Sequence, residues 1–153
     1  IDISYSLEVL KVTRTNVINF IDELSYDQLT AVPKGFNNSI LWNAVHNLAL
    51  QQLLCYKLSG MELNIPNKFV EGYTKGADGK SVIKESDLIE FKSLLLSTID
   101  LLGSDYKNGK FQKFKEYTTS YNITLKAAEY VINFNYTHEG LNFGYMMVFK
   151  KSL

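Results

Sequence analysis

An all-α fold, built as a bundle of four helices, is what the sequence predicts, and three observations carry that prediction. Apolar residues recur with the 3.6-residue period over long segments, no segment alternates persistently enough to be a strand, and turn-forming residues cluster between the periodic segments. The chain has 153 residues, the length of one ordinary domain with a core of its own. One domain over 1–153 is therefore expected.

The first helix is expected over 3–24, where Ile3, Leu7, Leu10, Ile18, Ile21 and Leu24 are apolar and Lys11, Arg14 and Asn19 stand between them. Residues 25–38 hold Asp27, Pro33, Gly35 and paired asparagines and read as a connection. Ser39 or Asn38 can cap the second helix, expected over 39–59 and stopped by Gly60. Residues 60–85 carry Pro66, Gly72, Gly76 and Gly79 with little apolar period, so a long crossing loop is expected there; loops of that length often border sites. Leu88, Phe91, Leu95, Ile99 and Leu102 place a third helix over 86–102, ending at Gly103. Between Gly103 and Asn122 the alternation is too weak for a firm hairpin, and the segment reads as mostly loop. Thr124 opens the fourth helix, 124–150, with Lys150 and Lys151 complementing the negative end of its dipole. The long second connection would let two neighbouring helices run parallel.

Composition excludes several function classes. Sixteen basic and sixteen acidic residues cancel, and no run of like charge forms a face for a phosphate backbone, so nucleic acid is not an expected partner. No apolar run reaches the roughly 20 residues of a membrane span; Leu41 to Leu58 is broken by Asn43, His46, Asn47, Gln51 and Gln52. No membrane partner is expected, and without a recognisable leader the expected compartment is the cytoplasm. The single cysteine, Cys55, reads as a small buried hydrophobe. It lies nine residues from His46, about 13.5 Å along one helix, too far for a nucleophile and base pair. The glycines at 72, 76 and 79 do not form a phosphate-binding loop.

Polar residues in the apolar helices are the candidate site. Asn43 and His46 share a face of the second helix, and Asn135, His138 and Asn142 share a face of the fourth. These are the only two histidines in the chain. A buried imidazole without a partner costs about 1–3 kcal/mol, so each needs a hydrogen bond, a water or a metal. The spacing by itself favours hydrogen bonding to Asn43, Asn135 or a tyrosine hydroxyl over a shared metal. Trp42 and the Tyr145 to Phe149 stretch read as core or dimer contacts.

The segments Asn38-Ser39-Ile40-Leu41-Trp42-Asn43-Ala44-Val45-His46 and His138-Glu139-Gly140-Leu141-Asn142-Phe143-Gly144-Tyr145 resemble the two signature regions of the DinB-like superfamily. The resemblance implies a four-helix bundle, commonly a homodimer, that holds a divalent metal such as Zn or Ni between helices two and four. It also implies a relation to metal-dependent thiol transferases, in which the metal activates a thiol. By position His46 and His138 match two of the family's three histidine ligands, and Asn142 stands in the third place. An amide oxygen is a weaker ligand for a borderline metal than imidazole, so affinity for Zn or Ni should fall.

Three functions follow as expectations. The first is a metal-binding, thiol-transferase-like protein with His46, His138 and Asn142 as ligands; Glu139, turned about 100° away, would lie on a different, exposed face and is not cast as a base. The second is a noncatalytic dimeric binding or scaffold module that has lost its metal. The third is a small-molecule pocket beside the same residues, with Tyr73, Tyr117 and Tyr121 available to line its mouth.

Overall fold

The computed structural model of the chain describes residues 2–80 and 83–153, so Ile1 and two residues of the expected 60–85 connection lie outside the described residues. Helix α1 spans Ser4–Asp22 and buries Leu10, Arg14, Val17 and Ile21. That spacing makes Arg14 part of the buried stripe and not of the polar face expected for it. A five-residue helix, α2 (Tyr26–Thr30), interrupts the expected connection; Ser25 and Gln28 form a reciprocal capping box and Leu29 is buried beneath it.

Helix α3 (Ile40–Cys55) is capped by Ser39, whose hydroxyl accepts from the Trp42 N–H at 3.1 Å. Thirteen of its sixteen residues are buried, which makes it the central helix of the bundle. It gives way to a 3₁₀ turn at Lys57–Ser59 and stops at Gly60, in the left-handed conformation. The connection after Gly60 is packed, not peripheral. It carries a 3₁₀ turn at Asn67–Phe69 and buries Phe69 and Tyr73, and the Trp42 indole N–H donates to the Gly72 carbonyl at 2.9 Å.

Helix α4 (Leu88–Lys107) begins after a 3₁₀ turn at Glu85–Asp87 and runs through Gly103, the expected stop. Gly103 sits where a Cβ would come within 3.2 Å of Leu7 Cδ1, so it serves close approach of α1 to α4. The turn out of the helix is made at Gly109, with φ of 69°. The segment expected as loop from 103 to 122 thus holds the last turn of α4 and one strand of a short hairpin. Strand β1 (Tyr117–Thr118) pairs antiparallel with β2 (Thr124–Leu125), Tyr117 opposite Leu125. Thr124 is therefore a strand residue and not a helix cap. Two-residue strands leave too little alternation to read in a sequence.

Helix α5 (Ala128–Lys151) closes the fold. It packs chiefly on α3, and α1 packs on both α5 and α4. The core forms two clusters, one around Leu41, Leu48, Phe69, Phe91 and Met146, the other around Leu10, Leu54, Ile99, Val131 and Ile132. Each such side chain contributes about 1.5–3 kcal/mol on burial. Among the described residues no helix is long and apolar enough to cross a membrane.

Candidate functional site at the seam of the third and fifth helices

Between α3 and α5 the apolar packing is interrupted by amides and imidazoles. Asn43, Asn47, Gln51 and Gln52 from α3 and Asn135, Glu139 and Asn142 from α5 are all buried. The seam brings His46 and His138 together, ring centroids 5.3 Å apart and planes at 64°. His46 also lies flat against Trp42, at 4.9 Å and 13°, and Phe134 stacks on His138 at 5.9 Å and 26°. The histidine pair is thus held between two aromatic rings.

Neither histidine is bonded to Asn43, Asn135 or a tyrosine hydroxyl, the partners expected for them. His46 Nδ1 lies 2.6 Å from the Tyr73 carbonyl oxygen, so Nδ1 carries the proton and donates, leaving Nε2 bare. Asn43 instead donates to Asn38 Oδ1 at 2.7 Å and to the Ser39 carbonyl at 2.9 Å. The buried Tyr73 hydroxyl, Asn135 Nδ2 and His138 Nδ1 have no partner among the described residues. Asn142 Nδ2 donates to Asn47 Oδ1 at 2.6 Å and reaches His138 Nε2 only at 3.5 Å, the outer limit of a hydrogen bond.

Both histidines are neutral at pH 7. Burial lowers the His46 pKa, opposed by its bond to Tyr73 and by the Glu139 carboxylate. Burial, with the His46 charge added, lowers His138 to about 4. Neutral imidazoles are the form that binds metals.

Glu139 is not on an exposed face, as the helical turn from His138 had suggested, but 2% exposed. Its carboxylate takes a two-pronged ion pair from Arg14, Nε to Oε1 and Nη2 to Oε2, both at 2.9 Å. Arg14 Nη1 also donates to the Leu95 carbonyl and Thr98 Oγ1, each at 3.0 Å. One buried guanidinium therefore ties α1 to α4 and α5 and engages both oxygens of the Glu139 carboxylate. Cys55 is fully buried, its thiol pushed up by burial, as expected of a small hydrophobe.

Two cavities meet at Trp42 and His46. One, of about 280 Å³, is bordered by Trp42, His46, His138, Phe134, Leu50 and Lys75, and by the hairpin's Tyr117, Thr119 and Ser120. The other, of about 310 Å³, has Asn37, Asn38, Asn43 and Asn142 among its walls beside Phe36 and Phe149. Of the three tyrosines expected at a mouth, Tyr117 lines the first cavity. Tyr73 contributes its carbonyl to His46, and Tyr121 lies edge-on to Phe134 beside a neighbouring cleft. Lys75, Phe134, Asn47 and the Arg14–Glu139 pair were not singled out in the sequence. Only the Leu10, Arg14, Val17 spacing offered a signal, an arginine on an apolar stripe.

The sequence model of the DinB superfamily matches residues 10–146, which include both histidines and nearly all of the bundle. The chain belongs to the DinB superfamily. Neither curated proteins nor solved structures gave a match. As a DinB-superfamily chain it offers a metal two imidazoles and, with Asn142 Nδ2 committed to Asn47, one amide oxygen. Among the described residues no group of three or more His, Cys, Asp or Glu is placed to hold a metal. The donor set fits a borderline divalent metal at two positions and supplies no negative charge at the third.

Proposed function

We propose that this DinB-superfamily protein holds a divalent metal, Zn or Ni, on His46, His138 and Asn142, at the floor of an aromatic cavity that receives a small-molecule or thiol substrate. The observation that carries the reading is the 5.3 Å between the imidazole centroids. Two imidazoles bound to one tetrahedral ion at about 2.0–2.1 Å would have centroids about 5 Å apart. The Tyr73 carbonyl adds support, because a ligating histidine characteristically donates its other N–H to such a group, which fixes the tautomer and the ring. When bound, the metal would supply Lewis acidity that lowers the pKa of a coordinating thiol, the chemistry of a thiol-transferase-like enzyme. Trp42 and Phe134 would hold the rings in place and keep bulk water from them.

The second reading is a noncatalytic binding or scaffold module without metal, and the Asn47–Asn142 bond favours it, since it ties the Asn142 amide to another side chain of the same chain. Metal content of protein purified without a polyhistidine tag separates the two. About one ion per chain by plasma mass spectrometry, absent from His138→Ala, is the result expected here; none in wild type, even after adding Zn and Ni, would overturn it.

The assembly we propose is a homodimer. Leu141, Tyr145 and Val148 lie on one face of α5 and are exposed, a face suited to a second copy. Sedimentation equilibrium should give twice the chain mass, and Tyr145→Lys should return it to one.

A further inference from the structure

We propose that the 280 Å³ cavity above the histidine pair binds a small apolar molecule carrying a single anionic group, and that Lys75 anchors the charge. The proposal deepens, and rests on, the reading of this cavity as the ligand site, but it does not require the metal.

Three observations carry it. The first is size and lining. At about 280 Å³ the cavity lies near the lower end of small-molecule pockets, and its walls include the apolar side chains of Trp42, Leu50, Leu54, Ala77 and Phe134. Such walls reward an aromatic ring or short aliphatic body and penalise a polar one.

The second is charge. Lys75 is the one Lys, Arg, Asp or Glu bordering the cavity. Lys75, like nine other lysines of the chain, has no acidic partner among the described residues; what sets it apart is its place in the wall of this cavity. A lysine on the wall of a pocket that has no acidic side chain among its lining residues selects for negative charge. The third is hydroxyls on the same wall. Thr119 and Ser120 of the hairpin line the cavity with Lys75 and carry hydroxyl groups that can donate to a carboxylate. The two imidazoles that also line this cavity are neutral, and the second cavity has asparagines and no Lys, Arg, Asp or Glu among its lining residues.

Trp42, the only tryptophan in the chain, lines the cavity and reports on it. The test is a titration of its fluorescence with phenylbutyrate and with the matched uncharged phenylbutyramide, in the presence of chelator and again after adding Zn. The acid should bind about fivefold more tightly than the amide, the scale of one partly exposed ion pair. Lys75→Gln should remove that preference and leave the amide unchanged, while Phe134→Ala should weaken both. Equal binding of acid and amide, no binding of either, or a preference that survives Lys75→Gln would overturn the proposal. A preference seen only with Zn and insensitive to Lys75→Gln would overturn it too, by placing the anion at the histidines. Protein that binds no metal but keeps the Lys75-dependent preference would defeat the metal reading alone.

Discussion

His46 and His138 meet edge to face across the seam of α3 and α5, 5.3 Å between ring centres, and only His46 has its second nitrogen tied down. The pair is asymmetric: one ring is fixed by the Tyr73 carbonyl, and the other is stacked on Phe134, its Nδ1 without a partner among the described residues.

Burial of the His138 imidazole has a pH signature. His138 is held at about 4 against an ordinary 6.5, so between those values the unfolded chain binds a proton that the folded chain refuses. Stability is therefore full above pH 6.5 and falls as pH drops toward 4, with His46, also lowered, acting in the same direction. Urea denaturation in chelator across this range should show the loss, and His138→Gln should flatten the slope by close to one proton. An unchanged slope in the variant would remove His138 as the titrating group.

The Arg14–Glu139 pair is buried on both sides, with side chains 1% and 3% exposed. Removing one partner strands the other charge, so Arg14→Met should cost about 3–5 kcal/mol by urea denaturation. Adding Glu139→Leu should recover much of that loss. If the single variant costs less than about 1 kcal/mol, the pair does not tie the helices as described.

Asn142→His would replace the amide by a third imidazole. Zn affinity, measured by competition with a chromophoric chelator, should rise about tenfold or more. Because Asn142 also bonds Asn47, a fall in stability without metal is expected in the same variant. No gain in affinity would argue that His46 and His138 do not form two corners of a metal site.

Gly79 has φ of 73°, and a Cβ there would collide with the Asn37 carbonyl oxygen. The turn at Gly79 thus braces the 35–38 loop that borders the asparagine-lined cavity. Gly79→Ala should lower stability by about 1–3 kcal/mol, from the left-handed backbone and the backbone clash together. Thermal melts that place it level with wild type would show that the loop yields freely.

The helices were legible because their apolar residues repeat over several turns: Leu88 to Leu102 announces α4 whatever surrounds it. Their ends were less so. Gly103 looks like a stop until Leu7 is found packed against it, and Thr124 looks like a cap until Thr118 pairs with it. Both outcomes depend on a neighbour distant in sequence, which local propensity does not register.

By itself the sequence determined the bundle, the family, and that Asn43, Asn135 and Asn142 would turn inward, though not Arg14 or Glu139, because helical periodicity and residue spacing are local quantities. What only the tertiary structure decided was who partners whom. The His46 bond to a backbone carbonyl 27 residues away, the Asn47–Asn142 bond across 95, and the Arg14–Glu139 pair across 125 are chosen by which helix faces meet. A residue's type says what it could bond. Burial in a low-dielectric seam, where every unmet polar group is costly, selects the partner.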